Sequence, residues 1–484
     1  MNLSVPDKDF DATNPLSIYE YSKHLIGKTL QELSDEDLKN RVRKGKGGLG
    51  QMVEELFFGY NINSNREADF QEAKLELKCT PLLKYKDNTY RIKERLVCTM
   101  IDYFELVNTD FENSHLLSKC RLMLLLFYLH ISGCPIYDFR FLFRVLWELP
   151  EKDLIQIKKD YETIAGKVRE GKAHELSEGD TMYLGACRKG QKNDSPQSQP
   201  FSNIKANKRA FSLKPAYMRY VLNHVTETTD GAFSNYHSVK SDSYELVRKE
   251  ELAKKSFEEI VVNRFKPFIG LNYQEICEKL NTETYQSKSK YADVCGLIAS
   301  NGERKRITDS EEFIKSGIIM KTIRLGINNM PRESMSFKNI DYKEVMDNDE
   351  WVESEAYEIF TSRFMFVVFV PYGDKTITVH NRKTGKTDVE PSYVLEKVFF
   401  WTMPTEDLLT AEEYWSDIRK NVLDNNIHLK AFWNLKDNRK FHVRPKATRT
   451  NRTTDNPHGG RADKYCYWFN AAYVKNIIEN STSK

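Results

Sequence analysis

The sequence predicts a mixed α/β protein, α+β in places, folded as two tandem copies of one domain. Three observations predict this. The chain has 484 residues, more than one ordinary domain of about 100–150 residues accounts for. Amphipathic, helix-like stretches alternate with short β-branched or aliphatic runs, the pattern of layered helix-and-sheet domains. Landmarks of the first half also recur in the second at offsets of about 240–255 residues, the signature of repeated units.

The repeat keeps its order. KERLVCTMIDY at 93–103 aligns with RESMSFKNIDY at 332–342, and SKCRLMLLLF at 118–127 with TSRFMFVVF at 361–369. Trp147, Pro150, Asp153 and His174 then align with Trp401, Pro404, Asp407 and His428, while near the front Ile26-Gly27 aligns with Ile269-Gly270 and Lys78 with Lys321. Unrelated strands share aliphatic runs, but they do not share ordered polar and tryptophan landmarks. Between the copies, VTETTDGAFSNYHSVKSDS at 225–243 is polar and nearly devoid of aliphatic residues, as linkers are. The expected organisation is a first domain at 1–226, a linker at 227–243 and a second domain at 244–484.

Composition narrows the function classes. Charged residues (30%) and hydrophobic ones (40%) are mixed throughout, which describes a globular protein rather than a disordered tail or a fibre. The longest apolar run, 122–129, is far short of the roughly 20 residues a membrane helix needs, so no membrane partner is expected. The first 14 residues carry acidic groups and no apolar stretch, which excludes a secretory signal and suggests a cytoplasmic protein. Eight cysteines without a C-x-x-C pair read as reduced thiols, not as a zinc site or disulfide framework. A net charge of +3 says little by itself, so charge must be read locally.

In chain order, 16–33 reads as a helix. RKGKGGLG at 43–50 is a basic glycine-rich loop whose backbone can approach phosphates closely. It lacks the Gly-Lys-Ser/Thr ending of a nucleotide-binding loop, so no nucleotide cofactor is expected. GQMVEELFFG at 50–59 reads as helical and brings Glu54 and Glu55, one of which would be a further acidic group beside a metal. ADFQEAKLELKCTPL at 68–82 then holds Asp69 followed by Glu76-Leu77-Lys78. On a strand covering 74–79, Glu76 and Lys78 share one face while Leu75, Leu77 and Cys79 turn to the core. Asp69, on an adjacent strand or bend, can meet Glu76 across Mg²⁺, which takes carboxylate oxygens and retains waters. Lys78 would orient the water that attacks phosphorus. The E-x-K triplet alone is not specific, since Glu72-Ala73-Lys74 is another and an exposed ion pair would look the same. Further on, 153–169 reads as a helix, 364–370 as a strand, 465–469 as an alternating strand, and His174 and His428 as structural histidines.

These segments together resemble the MutH family, and the whole chain resembles the Sau-type restriction endonucleases. The resemblance rests on KGKGGLGQMVEELFFG, ADFQEAKLELKCTPL, KERLVCTMIDY, GKAHELSEG at 171–179, KRAFSLKPAYM at 208–218 and HVRPKA at 442–447. It implies two tandem restriction-endonuclease-like domains, with Asp69, Glu76 and Lys78 at the catalytic positions and the Leu77 backbone carbonyl completing the metal set. Lys46 and Glu54 correspond to the family's upstream lysine and helical glutamate. One extra residue between Gly50 and Asp69 leaves Glu55 open. The activity implied is a Mg²⁺-dependent type II restriction cleavage of double-stranded DNA at GATC, before the G, leaving 5′-phosphate ends. Carried across the repeat, Asp69 falls on Glu312, Glu76 on Ile319 and Lys78 on Lys321. An isoleucine cannot ligate Mg²⁺, so the second copy should be catalytically silent and kept for binding DNA, with a second site as effector. One cutting site per chain implies a dimer assembled on DNA.

The DNA surface has its own signal. Residues 186–219 and 430–464 are rich in lysine and arginine and poor in acids, a footprint of phosphate contacts on an otherwise near-neutral chain. Arg188-Lys189 matches Arg444-Pro445-Lys446, and Tyr217 matches Tyr473. By resemblance, Arg188, Lys189, Lys214 and Tyr217, with Arg444 and Lys446, lie at the recognition surface, where arginine can read guanine bidentately. Two competing readings are a MutH-like repair nickase and a non-cutting DNA-binding regulator. Duplication argues against the nickase, which needs one copy. The intact acidic set argues against the regulator, since bare carboxylates repel phosphate.

Overall fold

The structure, a computed structural model, describes residues 9–41, 48–60, 67–85, 89–189, 195–228, 243–283, 289–303, 305–380, 387–446 and 451–481. It divides into two compact units, Met1–Leu176 with Thr181–Ser241, and Ser177–Asp180 with Asp242–Lys484. The expected linker lies almost wholly outside the described residues.

The first unit contains β1 (Glu76–Lys84), β2 (Tyr90–Ile92), β3 (Leu96–Met100), β4 (Leu122–Leu129), β5 (Phe141–Glu148), β6 (Leu184–Arg188), β7 (Gln197–Gln199), β8 (Ser202–Ala206) and β9 (Arg209–Leu213). One sheet has the order β2-β1-β4-β5, with β1 parallel to β4 and β4 antiparallel to β5. A second has the order β3-β9-β6, and β7 pairs with β8. The apolar run on β4 is explained by its place: Met123 to Phe127 are fully buried in the middle of the sheet, where neither face is wet.

Two sequence expectations are corrected here. The helix at 16–33 is broken into Pro15–Ser22, a short turn at Lys23–Leu25, and Leu30–Leu33. The break is Gly27, whose φ of +80° suits glycine and whose N–H donates to the Phe141 carbonyl at 2.8 Å. Thr29 and Glu32 then restart the helix with a reciprocal capping box. The strand expected at 74–79 begins at Glu76, because Lys74, at φ +51°, lies in a tight turn closed by paired backbone hydrogen bonds between Phe70 and Leu75. Asp69 therefore sits on a bend just before β1.

The helix Glu151–Arg169 buries Ile157, Tyr161, Ile164 and Val168, the spacing of one helical face. Asp160 is buried on that face and accepts the backbone N–H groups of Met182, Tyr183 and Leu184 at 2.7–2.9 Å, which fixes the start of β6.

The second unit contains β10 (Ile319–Arg324), β11 (Met335–Asn339), β12 (Phe364–His380), β13 (Thr387–Trp401), β14 (Phe441–Pro445), β15 (Thr453–Asp455), β16 (Arg461–Asp463) and β17 (Tyr465–Phe469). Its sheets have the orders β10-β12-β13 and β11-β17-β14, with β10 parallel to β12 and β12 antiparallel to β13; β15 pairs with β16. The core gathers Phe360, Phe364, Tyr414, Phe441, Tyr467 and Phe469. All of Tyr465–Phe469 is buried, since β17 is the central strand of its sheet, so the expected alternation is absent. The eight cysteines are free thiols. No described helix is long and apolar enough to cross a membrane.

Candidate active site

In the first unit β1 places Glu76 and Lys78 on one face, two residues apart, while Leu75 and Leu77 are buried in the core and Cys79 packs at its edge. The Lys78 ammonium donates to Glu76 Oε1 at 2.5 Å. Asp69 reaches the same strand by its backbone: its Oδ2 accepts the Leu77 N–H at 2.9 Å. Glu54 projects from a wide helical turn, Val53–Phe58, that follows Gly48–Met52 and is closed by Gly59 at φ +72°. Such wide turns inside helices are frequent at functional sites.

Electrostatics ties these groups together. Burial, then the neighbouring Asp69 and Glu76 charges, push the Glu54 carboxyl up to about 7. Burial and Glu76 raise Asp69 as well. Burial alone would lower Lys78, but Glu76 and Asp69 hold it above the ordinary lysine value. Glu55 is exposed and Glu54 half-buried, so Glu54 is the helical carboxylate that senses the cluster.

The sequence reading missed one member. Lys119, from the short helix His115–Cys120, donates to both Glu76 oxygens at 3.2 and 3.1 Å. Glu76, only 1% exposed, thus lies between two ammonium groups. Lys119 belongs to the SKCRLMLLLF segment used to find the repeat, but its contact with Glu76 arises only when β4 pairs with β1.

Among the described residues no three His, Cys, Asp or Glu side chains form a ready-made metal cage. The donor set still fits a hard divalent cation, because Asp69 and Glu76 offer carboxylate oxygens, and Glu54 and Asp69 are raised first by burial and then by neighbouring carboxylates.

At the matching positions the second unit keeps a carboxylate, Glu312, and a lysine, Lys321, but has Ile319 where the first has Glu76, and the surroundings of all three differ. Glu312 is buried, and its oxygens accept the backbone N–H groups of Leu246 and Val247 at 3.1 and 3.0 Å. Ile319 begins β10, and Lys321 Nζ donates to the Ser336 carbonyl at 2.6 Å. Burial, then Lys446, bring Lys321 down to about 8.

The residues assigned to DNA separate into two groups. Arg188, at the end of β6, and Arg444 and Lys446, at the end of β14, are exposed, and Lys189 is half-exposed. The Arg444 guanidinium lies 5.4 Å from the Trp468 ring centroid. Lys214 and Tyr217, by contrast, are interior residues, and their placement on a recognition surface is corrected. Lys214 is 7% exposed and donates to the Thr181 carbonyl. Tyr217 is fully buried and donates to Asp153 at 2.9 Å, which joins the helix Pro215–Thr228 to Glu151–Arg169. Tyr473 donates to Asp407 at 2.6 Å, the same pairing at the matching positions. Lys46 lies outside the described residues. His174 packs beside Gln199, with 3.1 Å between His174 Nδ1 and Gln199 Nε2.

Two comparisons with known proteins bear on this site. The family model described as DNA mismatch repair enzyme MutH matches residues 58–160, which include Asp69, Glu76, Lys78 and Lys119. The type II restriction enzyme Sau3AI of Staphylococcus aureus is 30% identical over 517 aligned positions, covering 96% of this chain and 98% of that relative.

Proposed function

We propose, since this chain belongs to the MutH-related type II restriction endonucleases and is a site-specific deoxyribonuclease, that it cuts double-stranded DNA at GATC before the G and leaves 5′-phosphate ends. The observation that carries the cutting site is Glu76, held between Lys78 and Lys119 with Asp69 and Glu54 within electrostatic reach. The GATC reading is supported by the motifs shared with the Sau-type enzymes.

Asp69, Glu76 and the Leu77 carbonyl would hold Mg²⁺. When bound, the cation supplies positive charge against the phosphate and acidifies a water. The chain's own groups do the rest. Lys78 positions the attacking water and stabilises negative charge that grows on it. Lys119 orients the Glu76 carboxylate through hydrogen bonds to both of its oxygens. Glu54, whose carboxyl is raised to about 7 by burial and the neighbouring Asp69, would in its ionised form accept a hydrogen bond from water at the site.

The chain reads as a duplicated domain, the second copy having the strand orders of the first without its edge strand β2, and Ile319 where the first has Glu76. That copy is a DNA-binding module without a cutting site, and it engages a second GATC site as an effector. One cutting site per chain makes a dimer on DNA the route to a double-strand break.

The test is a digest of two matched plasmids, one with several GATC sites and one with none, in Mg²⁺ and in EDTA. Discrete Mg²⁺-dependent fragments from the first plasmid alone are expected. Equal cutting of both plasmids would sink the GATC assignment, and cutting in EDTA would sink the metal.

A further inference from the structure

The second unit contains a cavity of about 240 Å³ beside β10. It is lined in part by Lys321, Arg324, Arg332, Glu333, Ser334 and Ser336, three cationic side chains against one carboxylate. Its volume is below the roughly 300–1,000 Å³ of drug-sized ligand sites, so it suits a small group.

The cations are held in place without being neutralised. Lys321 spends one of its three N–H donors on the Ser336 carbonyl at 2.6 Å. The Arg324 guanidinium lies 5.5 Å from the Tyr291 ring centroid and 5.8 Å from that of Tyr393. Arg332 Nη1 donates to the Tyr393 hydroxyl at 3.2 Å. Among the described residues, none of the three has a carboxylate partner. In the first unit the lysine at the matching strand position, Lys78, faces Glu76 at 2.5 Å; here that place is taken by Ile319. The depressed Lys321, near 8, is what an ammonium shows when buried beside other cations without an anion. Lys321 and Arg324 are half-buried and Arg332 is exposed, so the cavity offers cations that an anion can reach, and a tetrahedral oxyanion matches both the ammonium and the guanidinium forks.

We propose that this cavity binds a phosphate group through Lys321, Arg324 and Arg332. The phosphate is either a phosphodiester of bound DNA, which rests on the reading that the second unit binds DNA, or free inorganic phosphate. In both cases the loss of the carboxylate at position 319 converts a cation-holding strand into an anion-holding one.

The test uses the full chain. Calorimetric titration with inorganic phosphate is paired with anisotropy of a labelled GATC duplex in EDTA, for wild type, Lys321→Met and Arg324→Gln. Thermal unfolding first confirms that each variant is folded, and the half-buried Arg324 serves if the Lys321 variant is not. Saturable phosphate uptake is expected, weakened at least about tenfold by either substitution. If DNA is the source, duplex and phosphate compete and each variant lowers the log–log salt slope of duplex binding by about one. Variants that weaken duplex binding in this way without measurable uptake of free phosphate also identify DNA as the source. If free phosphate is the source, it binds in the presence of duplex, and the variants hold duplex as wild type does. No uptake by wild type, with both variants binding duplex normally, overturns the proposal. In that case a loss of duplex affinity in Arg444→Ala would leave the second unit's DNA role standing, and no loss there would remove both.

Discussion

Glu76 carries three interactions on two oxygens, so its removal separates chemistry from binding. Glu76→Ala is expected to reduce cleavage by more than about 10³-fold, as loss of a group acting at the reacting phosphate does. DNA affinity in EDTA should hold or rise, because Lys78 and Lys119 lose their shared counter-charge. Cleavage at an undiminished rate would remove the metal assignment. Glu54 gives a second expectation, in the metal-free protein. Its carboxyl is raised from 4.5 to about 7, so its favourable contribution to the fold is complete below about pH 4.5 and is lost as pH rises through 7. Discounted for partial exposure, that loss is on the order of 1–3 kcal/mol. Glu54→Gln removes the titration, and urea midpoints of the two proteins should diverge from pH 5 to pH 8, with the variant the more stable at pH 8. Parallel curves would place Glu54 outside the carboxylate cluster. The Asp69, Glu76 and Lys78 set was legible because a strand's period of two is written in the sequence. Lys119 was not, since its contact spans 43 residues and depends on which strand pairs with β1.

At the scale of elements, the repeat paired segments that fold as strands in both units but could not say which side of each helix faces inward. Tyr217 and Tyr473, matched by the repeat, both lie inside, each tied to an aspartate on the long helix of its own unit. Matched position reveals shared structure more readily than shared surface, since buried pairs recur in every copy of a fold while binding residues need not. Tyr217→Phe is therefore expected to lower stability by about 1–3 kcal/mol, through loss of a hydrogen bond to a buried carboxylate, with no change in the salt dependence of DNA binding. A changed salt slope at unchanged stability would restore the tyrosine to the DNA surface. Arg444, exposed at the end of β14, should behave in the opposite way. Arg444→Ala is expected to weaken DNA binding and lower the salt slope by about one while leaving the urea midpoint in place. Unchanged affinity and slope would count against a DNA role for this strand end. The helix at 16–33 shows the other limit of sequence reading: hydrophobic spacing continues across Gly27, but that residue takes a positive φ and the helix is broken there.

For the whole molecule, division into α/β units was legible from length and repeat, whereas the details of their charge were not. The first unit concentrates carboxylates around Glu76, and the second holds a half-buried Lys321 without one. That contrast turns Mg²⁺ into a selective probe of folding. A ligand that binds only the native state stabilises it in proportion to the logarithm of its concentration over Kd, and under the proposed metal assignment the stabilisation would belong to one unit. Amide exchange followed by mass spectrometry should show slower exchange in peptides from β1 and β4 on adding Mg²⁺, while peptides from β10 and β12 keep their rates. Equal slowing in both sets would mean that the metal does not tell the units apart. The expected pattern would let a bound cation act as a local brace, so that depletion of Mg²⁺ would soften the unit that holds Glu76 and leave the other rigid.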